Sequence, residues 1–118
     1  RAAVPVSLHA YGEDQLNTSP AITMVDFLRH STAAQLVPCG HSYCVYKRGG
    51  RVSPQVYIDE RPAYGGLHEL EAYPPQMVHS VEVIATGTHI RVYTKRFAQR
   101  LADRKVMLMP VIATSIIR

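Results

Sequence analysis

Apolar and polar residues alternate in the opening stretch VPVSLHAYG, with Val4, Val6, Leu8 and Ala10 in phase. A period of two marks a strand with one buried face, so Val4–Gly12 is expected to be a strand. The period then lengthens. In NTSPAITMVDFLRHST, Ile22, Val25 and Leu28, with Met24 and Phe27 beside them, form one face at helical spacing. Thr18 or Ser19 can cap, and Pro20 suits a first turn, which predicts a helix from about Pro20 to His30.

AAQLVPCGHSYCVYKRGGR reads as a hairpin. Its arms are Gln35–Pro38 and Tyr43–Lys47, with a turn at Gly40-His41 and a second turn at Gly49-Gly50. In Gln55–Glu60, Val56 and Ile58 share one face and Tyr57 takes the other, as in a strand. Leu67, Leu70 and Tyr73 put GLHELEAY on one side of a short helical segment, which Pro74-Pro75 ends before opening another turn at PPQMVHS. SVEVIA and HIRVYT alternate again, separated by the turn TGT. KRFAQRLADRK returns to helical spacing, with Phe97 and Leu101 apolar and Arg96, Arg100 and Arg104 on another face.

The element order predicts an α+β fold: a small mixed β-sheet with flanking short helices. Residues 1–105 are expected to form this one domain. Residues 106–118 form an apolar, β-prone C-terminal segment, read as a last strand or a partner-docking tail. Its run from Val106 to Ile117 is 12 residues with Pro110 inside, whereas a membrane-spanning helix needs about 20. The chain begins at Arg1 rather than Met and shows no signal peptide, which reads as a processed product or a fragment.

An apolar content of 47% with 19% charged residues fits a folded chain rather than a disordered one. The net charge of +4 favours anionic partners. That charge is unevenly placed: Arg91, Lys95, Arg96, Arg100, Arg104 and Lys105 are offset locally only by Asp103. Such a segment suits phosphates of lipid A, phosphates of nucleic acid or an acidic protein, and otherwise reads as a solvated helix face. Nucleic-acid binding usually adds stacking aromatics or a known module; Tyr57 and Tyr93 alternate within strands and read instead as sheet packing.

Two cysteines, Cys39 and Cys44, flank the predicted hairpin turn. Three readings stay open: a disulfide, free thiols, or a metal site with His41 and another ligand such as His30. The spacing matches no standard zinc pattern. A disulfide would suit an oxidising compartment and contribute about 2 kcal/mol. The other histidines are scattered, without an i, i+4 helical pair, so no metal and no cofactor is expected.

The ordered set of motifs resembles the plug domain of TonB-dependent outer-membrane receptors, from Val4 to Thr94 and without the barrel. VPVSL resembles the family's opening strand, ITMVDFLRHSTAAQLV its first helix, and QVYIDERPA its strand ending in Asp. LHELEAYPPQMVHSVEVIATG matches the next segment, including the Pro pair, Val81-Glu82-Val83 and Gly87, and HIRVYTK resembles the closing strand. The chain departs from the pattern in three places. Ser31–Ala34 replaces the usual Pro-Gly, Glu60 stands where Gly is usual, and the glycine-rich stretch before the last strand is missing. The resemblance implies a small mixed sheet with flanking helices in the bacterial cell envelope: periplasm, outer membrane or exterior.

No Gly-x-Ser-x-Gly, Walker loop or His-Glu-x-x-His is present, and Glu69 and Glu71 would face different ways on a helix. The chain therefore reads as a non-enzymatic binding or assembly module with a protein partner in an envelope complex. Two alternatives are the gating plug of a truncated transporter, binding a siderophore or sugar, and a small basic nucleic-acid-binding domain. Asp59 is suited to a strand end, where its carboxylate accepts backbone amides. With Glu60, Arg61 and Tyr64 it forms one candidate contact loop. His41 and the basic face of Arg96, Arg100 and Arg104 supply the others, the last suited to anionic lipid.

Overall fold

A computed structural model of the chain describes residues 7–104. The expected Val4–Val6 part of the first strand and the apolar segment 106–118 lie outside the described residues. The fold is α+β, as the element order predicts. A five-stranded mixed sheet runs in the order β1 (Leu8–Tyr11), β7 (Val78–Ile84), β8 (His89–Thr94), β5 (Gln55–Ile58), β6 (Arg61–Pro62). All neighbours are antiparallel except β5 and β8, which are parallel. A second, antiparallel sheet contains β2 (Val37–Cys39), β3 (Ser42–Lys47) and β4 (Gly50–Val52).

One face of the large sheet carries Val56, Val81, Val83, Ile90 and Val92, all buried. Over it lie Leu16 of α1 (Glu13–Asn17), Met24, Val25 and Leu28 of α2 (Met24–Arg29), and Leu67 and Leu70 of a 3-10 helix (Gly66–Ala72). The spacing of three between Leu67, Leu70 and Tyr73 is the 3-10 period itself. The opposite face pairs Glu82 with Arg91, as the alternation requires, at 3.8 Å.

Several elements differ from expectation for local reasons. The early helix starts at Met24, not Pro20. Its cap is Thr23, whose hydroxyl accepts from the Asp26 amide at 3.1 Å. Thr18 instead donates to the Asp14 carbonyl, and Ser19 accepts from Ala21, so both serve the preceding turn. Ile22 is left 80% exposed. Helix α1 is additional; Gln15 accepts from the Gly12 amide at 2.8 Å, half of a capping box. The second hairpin turn is Arg48-Gly49, both at positive φ, and Gly50 already belongs to β4. The segment Arg61–Pro62 pairs back on β5 as a short extra strand.

The two sheets meet at Gly87. Its φ is +110°, and a side-chain carbon there would lie 3.1 Å from Val45 Cγ1 of β3 and 3.6 Å from Ala34. The turn before it holds Ala85 and Thr86 at φ 52° and 55°. Three hydrogen bonds brace it: Ala85 N to the Ser7 carbonyl, Thr86 N to Ser7 Oγ, and Gln35 N to the Thr86 carbonyl.

A candidate anion-binding cleft

Cys39 and Cys44 form a disulfide across the β2–β3 hairpin. Both thiols are consumed, which removes the free-thiol and metal readings of this pair. His41 sits exposed at the hairpin tip, in the turn that Gly40 makes at positive φ. It belongs to the hairpin of the smaller sheet, whereas Arg61 and Thr94 belong to the larger one.

The parallel pair β5 and β8 brings two chain segments to one end of the large sheet. Open sheets with parallel strands commonly bind ligands beyond the strands' carboxyl ends. Here β5 ends in Asp59 and β8 ends in Thr94, from which helix α3 (95–104) departs. Thr94 caps α3: its hydroxyl accepts from the Phe97 amide at 3.1 Å. Asp59 in turn holds Thr94, Oδ1 accepting from its amide and Oδ2 from its hydroxyl, each at 2.8 Å. The Asp59 amide donates to the Val92 carbonyl at 2.8 Å. The carboxylate therefore closes the β5–β8–α3 junction and accepts an amide far along the chain, not the amides that follow it.

Two adjoining hollows open around this junction. One, of about 400 Å³, is lined by Asp59, Arg61, Glu69, Tyr73, Phe97 and Arg100 among others. The other, of about 490 Å³, is lined by Tyr73, Met77, Thr94, Lys95, Arg96 and Arg100 among others. Asp59, Tyr73 and Arg100 border both, so the hollows are two lobes of one cleft. Both carboxylates in its walls are already bonded, Asp59 to Thr94 and Glu69 to the Gly65 amide at 2.7 Å. The Lys95 ammonium is turned to Asn17, donating at 2.8 Å. Among the described residues, no carboxylate lies within ion-pair distance of Arg61, Arg96 or Arg100. Three arginines thus line one cleft, and a guanidinium fork suits phosphate or carboxylate oxygens.

Four of the sequence candidates, Asp59, Arg61, Arg96 and Arg100, come together here. Glu60 lies on the other side of the sheet, beside Tyr57, His89, Arg91 and Tyr93. Tyr64 is 94% exposed on the loop before the 3-10 helix. Arg104 continues the Arg96–Arg100 row by helical spacing and is exposed. Sequence reasoning missed Thr94, Tyr73 and Glu69 as parts of this region. A Thr at a strand end, just before the helical pattern KRFAQRL, is a cap signal that would have found Thr94. Tyr73 and Glu69 carry no such local signal. A more apolar hollow, of about 520 Å³, lies between β1 and α2, where Tyr11 meets Phe27 edge-on at 5.2 Å. Comparison of the chain with protein-family models and with curated proteins finds no match.

Proposed function

We propose that this chain is a non-enzymatic, plug-like binding module of the bacterial envelope, and that it meets an anionic partner through the Arg61–Arg96–Arg100 cleft. The observation that carries the reading is the convergence of three arginines on one concave site whose acidic neighbours are already bonded within the fold. The plug-like order of motifs supports the envelope assignment. The Cys39–Cys44 disulfide is consistent with an oxidising compartment such as the periplasm or the exterior. The reading is one of binding rather than catalysis because the central carboxylate, Asp59, is held through both oxygens. General acid or base chemistry requires a carboxyl group that can exchange its proton with a reactant.

The test is a nuclear magnetic resonance titration of the chain with inorganic phosphate. The amides of Thr94 and Arg96 and the side-chain resonances of Arg100 are expected to shift together and saturate. Arg100→Gln should abolish the response while leaving the rest of the spectrum in place. Shifts spread evenly over the surface, or none at all, would overturn the cleft as an anion site.

A further inference from the structure

The cleft has two lobes, and its cations are divided between them. Arg61 lines only the lobe bordered by Phe97, and Arg96 lines only the lobe bordered by Met77. Arg100 lines both, as do Tyr73 and Asp59, whose two carboxylate oxygens are bonded to Thr94. A single small anion on Arg100 can use one lobe at a time. A ligand with two anionic groups fills both, with Arg100 shared and the connecting scaffold laid against Tyr73. We infer that the cleft selects a ligand carrying two phosphoryl groups, such as a bisphosphorylated sugar or the bisphosphorylated headgroup of a glycolipid. The inference rests on the anion-binding reading above.

Three features favour phosphoryl groups over the carboxylates of an acidic protein. Guanidinium forks bind phosphate oxygens bidentately, and a phosphoryl group offers three acceptor oxygens where a carboxylate offers two. Arg61, Lys95, Arg96 and Arg100 outnumber the cleft's two carboxylates, Asp59 and Glu69, so the cleft keeps a net positive charge. Beside the charged and polar groups the walls carry Tyr73, Phe97 and Met77, against which a compact scaffold between two charged ends can lie.

The decisive measurement is calorimetric titration of the whole chain with inorganic phosphate, glucose 1,6-bisphosphate and a hexaglutamate peptide at one ionic strength. The bisphosphate should bind about tenfold or more tighter than phosphate, as a second charge-assisted contact implies. Arg61→Gln and Arg96→Gln, both at exposed positions, should each bring the bisphosphate down to the affinity of phosphate. Lys47→Gln, which removes an exposed charge on the small sheet, should change nothing. Equal affinity for the mono- and bisphosphate would sink the two-lobe inference and leave the anion site standing. No binding of either would remove both. Tighter binding of hexaglutamate would assign the cleft to an acidic protein instead. Vesicles of phosphatidylcholine doped with a bisphosphorylated glycolipid, set against the soluble bisphosphate, separate a membrane source from a free one. Binding to either source supports the inference.

Discussion

Thr94 presents its amide and its hydroxyl to the two carboxylate oxygens of Asp59, each at 2.8 Å. The same hydroxyl accepts from the Phe97 amide, so one threonine is at once the last residue of β8, the cap of α3 and the partner of the β5 turn. The basic helix is aimed by this contact. The parallel β5–β8 register and this tie together bring the start of α3 to the end of β5, where Arg61 lies.

Removing the tie should therefore cost stability and disorder the helix start. Asp59 is half-buried and makes two hydrogen bonds as an acceptor. Asp59→Ala should lower the unfolding free energy by about 2–3 kcal/mol, the usual scale for a charged acceptor lost to partly buried donors. Asp59→Asn keeps one acceptor oxygen and should lose about half of that. Urea unfolding measures both. Equal losses for the two variants would mean that the Thr94 contacts are not what Asp59 supplies.

Gly87, in the turn between β7 and β8, comes up against Val45 of β3. Its φ of +110° is open to glycine, and an added carbon would sit 3.1 Å from Val45 Cγ1. Gly87→Ala should destabilise by more than about 1 kcal/mol, since strain and crowding act together. Val45→Ala in the Gly87→Ala background should recover part of the crowding cost and none of the strain. A double variant whose loss is the simple sum of the two single losses would show that Val45 and residue 87 do not press on each other.

The elements with strong periodicity are legible in the sequence. Alternation places β5 and β8, turn residues place the hairpin of Cys39 and Cys44, and a spacing of three places Leu67 and Leu70 against the core. Helix α1 is hidden because it is five residues long and buries only Leu16, too little for a period to show. The cap of α2 is ambiguous in the sequence because Thr18, Ser19 and Thr23 all precede the apolar face, and only their hydrogen bonds distinguish them. Half of the cleft is visible as the Arg96–Arg100 spacing. Arg61 joins it through the parallel register of β5 on β8, and Asp59 meets Thr94 across a separation of 35 residues. Neither relation leaves a local signature.

Glu13 at the start of α1 accepts from His79 of β7 at 2.6 Å. That hydrogen bond, helped by the charges of Lys95 and His79 and opposed by desolvation, holds the Glu13 carboxyl below its ordinary value of 4.5. A depressed folded value means that the contribution is complete above the unfolded value and is lost as pH falls through the folded one. The part of the stability difference between wild type and His79→Ala that comes from the Glu13 shift should therefore be complete above the unfolded glutamate value and shrink as the solution is acidified below it. Carboxyl resonances should place the Glu13 titration higher in His79→Ala. An unmoved titration midpoint would sever the link between the pair and the shift.

The disulfide closes a short loop, so its constraint on the unfolded chain is modest. Replacing both cysteines, as Cys39→Ser with Cys44→Ser, should cost about 2 kcal/mol by loop closure. Cys44 is itself buried, so its side chain is shielded from water, whereas Cys39 is half-buried. Cys39→Ala with Cys44→Ala should accordingly lose less than the serine pair, which buries a hydroxyl. Thermal unfolding of the two double variants, side by side, tests the ordering. A serine pair as stable as the alanine pair would place the Cys44 side chain in contact with water.

The turn between β5 and β6 has two central residues, Asp59 at φ 53° and Glu60 at φ 71°, between the paired Ile58 and Arg61. Two positive φ values in succession define the I′ hairpin turn, for which Asp-Gly is favoured. Glu60 is exposed and carries the left-handed strain of a side-chain residue, and its carboxylate lies outside the Asp59–Thr94 bonding. Glu60→Gly relieves about 1 kcal/mol of strain and gives back part of it through the freer unfolded chain. The net expectation is a gain of a few tenths to about 1 kcal/mol, and a midpoint a few degrees higher. Asp59→Gly makes the same exchange of conformational terms at a neighbouring positive φ, yet should be destabilised by about 1–2 kcal/mol because the two Thr94 contacts go with the carboxylate. Opposite signs at two adjacent positions of similar φ separate backbone strain from side-chain bonding. The same sign at both would mean that one of these effects outweighs the other at both positions.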